Sequence, residues 1–285
     1  MVTLKCGNSV ATINEVGAEI TSFKYKGVDY LWIGDPKYWG CSSPNLFPMT
    51  GGLKDDKYIL NGKEYILPKH GFVRNKTFTI ESQTDNSVVF LLTASDETKE
   101  AFPYEFELRI SYILTDGKVT AGYSVTNCND ETMWFSVGSH DGFITPEGIE
   151  EYDLIFPQKE TLDTYTLFGN LTGHEKTPVI ADSDRIKMDY NYFAVDALVF
   201  KDLKSRTCRL VNRNTGRGIQ LDFPGAPRFV VWTKPGAPYV CLEPWFGQAD
   251  NLDSDYDITK KEAIECLKPG ETFKSVRVIT ALEGK

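Results

Sequence analysis

Histidine is scarce in this chain of 285 residues, which has only His70, His140 and His174. Its six cysteines lie far apart in sequence, and none of them forms a Cys-x-x-Cys pair. Zinc-knuckle and dithiol redox motifs are therefore not indicated. A glycine-rich phosphate loop is missing as well. The sequence predicts neither a metal site nor a bound cofactor.

Long apolar runs are also lacking. No stretch approaches the roughly 18 apolar residues of a membrane-spanning helix, and the N-terminal residues lack the apolar core of a signal peptide. Positive charge is in deficit, because 31 Lys and Arg face 40 Asp and Glu, which gives a formal net charge of -9. A field of this sign repels nucleic acid and anionic membrane surfaces. We expect a cytoplasmic protein with reduced thiols that binds neither.

No sustained helical stripe of apolar residues is found, whereas period-two alternation is common. From Tyr104 to Tyr112, aromatic and aliphatic residues alternate with charged or polar ones, as in an antiparallel strand with one buried face. Similar apolar runs lie at 87–92, 119–125, 208–211, 218–223, 229–232 and 273–282, with glycine-bearing turns between several of them. The best helix candidate is short, at 96–101, and ends before Pro103. The pattern predicts an all-β sandwich or barrel with very little helix.

The organisation of the chain is simple. It contains no internal repeat, no low-complexity segment and no obvious linker. All-β sandwiches commonly reach this length as one unit, and a chain of this size can bury a core without disulfides. We predict a single domain over residues 1–285.

Each histidine has a different local context. His70 precedes a glycine, which allows close approach of the backbone to a ligand, and His140 ends an apolar strand, where sites are commonly built. His174 lies in a polar stretch that is typical of an exposed turn. Taken alone, each is more often structural than catalytic, so the assignment stays open at this point.

One carboxylate stands out, that of Glu243. Apolar residues precede it and aromatic residues follow it, which predicts burial and a raised pKa. Trp245, two residues later, offers a flat apolar face of the kind that stacks on a pyranose. A carboxylate bonded to buried backbone amides at a strand end explains the same pattern equally well.

Four short segments, in this order, resemble those of the galactose mutarotase (aldose 1-epimerase) family, and of its bacterial aldose 1-epimerase-like branch in particular. They are Leu-Pro-Lys-His-Gly-Phe-Val-Arg at 67–74, Ser-Val-Gly-Ser-His at 136–140, Trp-Thr-Lys-Pro at 232–235 and Glu-Pro-Trp-Phe-Gly at 243–247. Each segment alone is weak evidence. Their common order and spacing extend the resemblance over essentially the full chain.

The resemblance implies a large antiparallel β-sandwich and an enzyme that interconverts the α and β anomers of a hexose without metal or nucleotide. In such an enzyme Glu243 would be the base for the C1 hydroxyl, and His140 would be the acid for the ring oxygen. His70 would hold the sugar, Asp196 would bind its hydroxyls, and Arg74 would line the site.

Two positions depart from the family pattern. Gly52 follows the Leu-Phe-Pro-Met-Thr-Gly segment, where the resemblance implies an arginine that reaches the sugar. Asp141 follows His140, where the family often has proline. We expect both changes to touch the pocket. The loss of a charge-assisted hydrogen bond at position 52 would weaken hexose binding, and an arginine that fits there would restore it.

Three alternatives remain beside the hexose mutarotase. A non-catalytic sugar-binding protein of the same fold would need the same aromatic residues, and the glycine at position 52 favours it. A mutarotase for hexose 6-phosphates would need convergent cations, of which Arg74 and Lys69 remain. A glycosidase would need two suitably spaced carboxylates. Asp141 and Asp196 are only weak candidates for the partner of Glu243, so the glycosidase is the least favoured alternative.

Overall fold

The structure is a computed structural model that describes residues 1–285. Strands account for 54% of the residues and helices for 8%. The prediction of an all-β fold with very little helix is confirmed.

The chain forms 23 strands and a few short helices. In chain order the strands are β1 (Val2–Cys6), β2 (Ser9–Ile13), β3 (Ile20–Tyr25), β4 (Val28–Asp29), β5 (Asn45–Leu46), β6 (Lys57–Leu60), β7 (Lys63–Ile66), β8 (Thr79–Gln83), β9 (Ser87–Thr93), β10 (Phe106–Thr115), β11 (Lys118–Asn127), β12 (Met133–Phe135), β13 (Val137–Ser139), β14 (Asp141–Ile144), β15 (Tyr152–Phe168), β16 (Leu171–Lys187), β17 (Leu198–Phe200), β18 (Thr207–Asn212), β19 (Arg217–Asp222), β20 (Arg228–Trp232), β21 (Tyr239–Phe246), β22 (Glu265–Leu267) and β23 (Thr272–Glu283). The α-helix is α1 (Asp96–Ala101), and 3-10 helices lie at Lys54–Asp56, Val73–Asn75, Ile149–Glu151, Tyr190–Phe193 and Ile258–Lys260.

Two large sheets organise these strands. The larger has nine strands in the order β16-β15-β18-β19-β23-β11-β10-β9-β8. The smaller has six, in the order β17-β20-β21-β13-β5 with β14 also paired to β21. Smaller sheets join β1 to β4, β6 to β7 and β12 to β22. The pairs within both large sheets are antiparallel, as the alternation predicted.

The core follows from that alternation. In β10 every second residue from Phe106 to Leu114 is buried, while the residues between them are partly or fully exposed. One cluster of 59 buried hydrophobic residues extends from Val2 to Ile279. A core that joins both ends of the chain supports the prediction of one domain, which stays a prediction.

The helix α1 has the predicted bounds. Ser95 caps its N-terminus through a capping box with Thr98, in which each side chain accepts from the other residue's backbone N–H. The helix ends before Pro103, which is restricted to conformations that do not continue it. None of the helices is long and apolar enough to cross a membrane.

A long hairpin of β15 and β16 was not predicted. Each strand has 17 residues, and much of β16 is exposed and polar, so no apolar alternation marks it in the sequence. His174, expected in a turn, lies within β16, although it is exposed as expected. The turn of this hairpin falls at Gly169 and Asn170.

The hairpin tip is docked on the segment that follows β21. The Thr172 amide donates to the Asp250 carbonyl at 2.8 Å, and the Leu252 amide donates to the Thr172 carbonyl at 3.1 Å. These bonds hold the tip over the face of the smaller sheet, where it forms part of a cavity wall.

Candidate functional site

One cavity of about 380 Å³ collects all the residues that the sequence singled out for function. This volume is typical of sites for small molecules. The six predicted residues among its lining residues are His70, Arg74, His140, Asp196, Glu243 and Trp245. Residues separated by up to 175 positions in sequence thus line the same cavity, although their chemical roles stay predictions.

A close contact between two buried cavity residues joins His140 and Glu243. The distance between His140 Nε2 and Glu243 Oε1 is 3.4 Å, and their side chains are only 13% and 1% exposed. The second oxygen of Glu243 and the Nδ1 of His140 are buried without a hydrogen-bond partner. A buried polar atom without a partner is costly, so a ligand that supplied a partner for either atom would be favoured.

The smaller sheet sets the position of this pair. Glu243 lies inside β21, on the face that also carries Cys241 and Trp245. Pro244 pairs with Phe229 within the sheet, so Glu243 lies inside the strand and not at its end. His140 joins β13 to β14, which both pair with β21, so one ladder fixes the distance between the two side chains.

Burial controls the proton of the pair. It raises the pKa of Glu243 well above its usual value, against an opposing effect of the Lys69 charge. It lowers the pKa of His140 to about 3. Both shifts favour the uncharged forms. Between the two pKa values the pair holds one proton, which burial keeps on Glu243 rather than on His140.

His70 is held in a fixed orientation. The Gly51 amide donates to His70 Nδ1 at 3.1 Å, and the His70 amide donates to the Gly51 carbonyl at 2.8 Å. Burial lowers the pKa of His70 well below its usual value. A neutral imidazole that accepts at Nδ1 carries its proton at Nε2, so His70 offers an N–H donor.

The glycine after His70 is required by packing. Gly71 has a φ of +68°, and a Cβ at this position would lie 2.3 Å from the Phe47 carbonyl oxygen. His70 itself has a φ of +69°, which is uncommon for a residue with a side chain. The uncommon backbone conformation of His70 thus occurs at a residue whose side chain lines the cavity, and such conformations cluster at functional sites.

Trp245 forms an apolar wall beside these groups. Its indole N–H donates to the Ser139 carbonyl at 3.1 Å, and its ring lies edge-on to His70 with centroids 5.7 Å apart. A Cβ on Gly138 would lie 2.6 Å from Trp245 Cδ1. The glycine of the Ser-Val-Gly-Ser-His segment therefore makes room for the tryptophan of the Glu-Pro-Trp-Phe-Gly segment.

Two further tryptophans enclose His140. The ring centroid of Trp39 lies 4.7 Å from that of His140, and Trp232 meets the imidazole edge-on at 5.5 Å. Both line the cavity. Neither was predicted as a site residue, although Trp232 belongs to a segment that carries the family resemblance.

Three cations line the cavity, of which only Arg74 was predicted as a site residue. The others are Lys69 and Arg228. Arg228 is engaged, because its Nε donates to Gln248 at 2.8 Å and its Nη2 donates to Glu262 at 2.9 Å. No local motif marks Arg228 in the sequence, where it simply begins β20.

Asp196 lies in the loop before β17 and is half-buried. Burial raises its pKa, and the charge of Lys69 partly offsets this. Its carboxyl group can accept hydrogen bonds from hydroxyl groups, which is the role that the resemblance implies for it.

The expectation about position 52 needs correction. Gly52 is buried and is not part of the cavity wall, because the hairpin tip covers it. A Cβ at this position would lie 2.6 Å from the Cβ of Asn170 and 2.9 Å from its carbonyl oxygen. An arginine does not fit there without displacement of the tip, so it would not restore sugar binding.

We therefore expect Gly52→Ala to lower the free energy of unfolding by about 1–3 kcal/mol, as is usual for overpacking. Gly40→Ala is the matched control, since nothing lies within 4 Å of a Cβ at that exposed glycine. Urea unfolding followed by tryptophan fluorescence measures both changes. Equal stability of the two variants would contradict the packing of the tip on Gly52.

The expectation that Asp141 touches the pocket is wrong. Its side chain is fully buried outside the cavity wall and forms an ion pair with Arg277 of β23, whose Nε lies 2.7 Å from Asp141 Oδ2. Ser139 Oγ donates to the same oxygen at 2.7 Å, and Ser43 Oγ donates to the other. Asp141 is thus not available as a second carboxylate for glycoside cleavage.

A metal could draw on one set of donors here. Donor atoms of His140, Cys241 and Glu243 lie within 4.8 Å of one another. Thiolate and imidazole are suitable ligands for zinc. However, burial raises the pKa of the Cys241 thiol well above its usual value, and a thiol must lose its proton to bind zinc. The set therefore fits a metal poorly in this environment.

The family model for aldose 1-epimerase matches residues 1–280. The chain belongs to the aldose 1-epimerase family. Within this family it is similar to the plasmid-encoded protein LacX of Lactococcus lactis subsp. lactis, with 33% identity over 99% of this chain and 100% of LacX.

Solved structures of aldose 1-epimerase relatives share the whole fold. The galactose mutarotase related enzyme from Lactobacillus acidophilus is 32% identical, with a TM-score of 0.93 over 100% of this chain and 98% of that chain. A galactose mutarotase-like protein from Lactobacillus casei ATCC 334 is 26% identical, with a TM-score of 0.94 over 99% and 100% of the two chains. The predicted galactose mutarotase-like β-sandwich is confirmed.

Proposed function

We propose that this protein is an aldose 1-epimerase that interconverts the α and β anomers of a hexose. The observation that carries the proposal is the contact of His140 with Glu243 at 3.4 Å, in a cavity where each residue keeps one unpartnered polar atom. Anomer exchange needs one group that takes a proton and one that gives a proton. This pair holds the single proton that the reaction needs.

In the proposed reaction the pair takes one proton from the sugar and returns one, so its protonation is the same before and after turnover. The pair removes the proton of the C1 hydroxyl, and the electron pair of that O–H bond forms the C1 carbonyl. The C1–O5 bond breaks, and its electrons stay on O5, which takes the proton that the pair donates. After rotation about the C1–C2 bond, the same steps in reverse close the ring on the other face of C1.

Glu243 acts as the base and His140 as the acid in this proposal. Before a sugar binds, burial favours the protonated form of Glu243. A sugar hydroxyl that donates to the free oxygen of Glu243 favours the carboxylate, because hydrogen bonds to the charged form lower a pKa. Sugar binding thus moves the proton to His140 and sets the pair for ring opening.

The other cavity residues hold the sugar. His70 donates its Nε2 proton to a sugar oxygen, Asp196 accepts from hydroxyl groups, and the ring of Trp245 packs against a face of the pyranose. Arg74 adds a positive charge to the cavity wall. All six cysteines are free thiols, which is compatible with the cytoplasmic location that we propose.

The direct test is anomer exchange on a panel of aldoses, measured by saturation-transfer NMR and polarimetry with purified protein. We expect exchange well above the spontaneous rate for at least one hexose. Sugar binding without faster exchange would instead favour the non-catalytic sugar-binding protein. No acceleration and no binding for any sugar would overturn the proposal.

The pH dependence provides a further prediction. Because the pair works with one proton, kcat/KM should fall only below the pKa of His140, about 3, and above the raised pKa of Glu243. We expect a broad plateau between these limits, measured at constant ionic strength within the range where the fold is intact. A narrow optimum between the ordinary values near 4.5 and 6.5 would contradict the single-proton pair.

A further inference from the structure

Two positive charges in the cavity wall have no partner in the protein. Lys69 and Arg74 both line the cavity, and both are half-buried. Neither side chain makes a hydrogen bond or an ion pair within 4.0 Å. The third cation of the wall, Arg228, is by contrast held by Gln248 and Glu262. Half-buried cations without counter-charges are costly, so a ligand that supplies negative charge would be favoured.

The charge of the cavity contrasts with that of the whole protein. The chain has a formal net charge of -9, yet only two carboxyl groups line the cavity, those of Asp196 and Glu243. Burial raises the pKa of both. Burial therefore disfavours the charged form of both carboxyl groups, whereas Lys69 and Arg74 have no counter-charge, so the wall offers uncompensated positive charge within an acidic protein. Such a local field attracts an anion.

The two cations flank the position where the sugar is expected. They lie on either side of His70 in the segment at 67–74, one residue before it and four residues after it. Burial is the main cause of the low pKa values of His70 and His140, and the charges of Lys69 and Arg74 lower both pKa values further. Both charges therefore act on the groups that would contact the reacting sugar.

We propose that Lys69 and Arg74 form a recognition site for an anionic group on the sugar, so that the preferred substrate carries a phosphate or a carboxylate rather than hydroxyl groups alone. This inference rests on the proposed mutarotase function and names its substrate class. Arginine binds two oxygens of such a group at once, and lysine adds a point charge. Lys69 and Arg74 would also supply the positive charge that the resemblance implies for an arginine at position 52, where an arginine has no room.

The experiment compares three substrates that share one ring: a hexose, its 6-phosphate and its 6-carboxylate. Anomer exchange gives kcat/KM for each, and isothermal titration calorimetry gives the affinities. We expect kcat/KM to be about ten- to a hundredfold higher for one of the two anionic sugars, as charge-assisted hydrogen bonds provide. The 6-phosphate and 6-carboxylate arms identify which anion is recognised.

The variants Lys69→Gln and Arg74→Gln test the assignment to these residues. Each should lower the ratio of kcat/KM between the anionic and the neutral sugar by about tenfold, with the larger fall expected for Arg74→Gln. Lys5→Gln is the matched control, because Lys5 is exposed on β1 outside the cavity. It removes the same charge and should leave the ratio unchanged.

The outcomes separate this inference from the function itself. Fast exchange of neutral sugars with no preference for an anion would overturn the inference and leave the mutarotase proposal standing. A preference that survives both glutamine variants would also overturn it. Tight binding of an anionic sugar that weakens in both variants, with no exchange for any sugar, would support the inference and refute the mutarotase function.

Discussion

Replacement of Glu243 by glutamine is expected to lower the rate of anomer exchange by about 10²- to 10⁴-fold, while sugar affinity changes little. Glutamine keeps the shape of the buried side chain and can neither take nor give a proton at neutral pH. Burial already favours the uncharged acid at this position. A neutral isostere should therefore fold normally. Exchange is measured by saturation-transfer NMR, and affinity is measured by calorimetry.

Glu265→Gln is the matched control for this change. Glu265 is also partly buried, with a pKa that burial raises, but it lies on β22 outside the cavity wall. Its variant should exchange anomers at the rate of the unchanged protein. If Glu243→Gln retained full exchange in a folded protein, Glu243 would be a structural residue and His140 would lack its partner.

Asp141→Asn is expected to destabilise the fold by about 3–5 kcal/mol, because it leaves the Arg277 guanidinium buried without its counter-charge. Arg277 is 3% exposed and Asp141 is fully buried. The guanidinium also donates to Tyr123 Oη at 3.0 Å, so the ion pair ties β14 to the strands of the larger sheet. Urea unfolding at neutral pH measures the loss.

Asp182→Asn is the control for removal of a paired carboxylate. Asp182 forms an exposed ion pair with Lys159 at 2.7 Å, and exposed pairs contribute little. We expect its unfolding midpoint to match that of the unchanged protein. A loss for Asp141→Asn no greater than that for Asp182→Asn would show that the buried pair does not hold the two sheets together.

The fold could be predicted where one face of a strand is buried. In β10 and β11 the packing against the core imposes period-two alternation on the residues, so the pattern is visible in the sequence alone. The hairpin of β15 and β16 could not be found in this way. Its outer residues face solvent and obey no such constraint, so only pairing with a partner strand marks them as strands.

The site could be predicted in part, because His70, His140 and Glu243 lie in segments whose order resembles a known family. What the sequence could not reveal was which side chains face each other across the fold. Asp141 is adjacent to His140 in the chain, yet its partner Arg277 lies 136 positions away. Likewise nothing near Gly52 in sequence indicates that Asn170 packs on it. Contacts of this kind follow from tertiary structure alone.

Because the hairpin tip forms one wall of the cavity, substrate selectivity and the proposed chemistry depend on different parts of the chain. Leu167, Gly169, Asn170 and Thr172 supply one wall, whereas the proposed acid–base pair belongs to β21 and to the link between β13 and β14. We expect a change in the length or residues of the tip to alter the space beside the proposed sugar site, and to leave unchanged the strand pairing that positions His140 and Glu243. Related chains could thus diverge in their preferred sugar through a single turn, and loop exchange between them is a practical route to new selectivity.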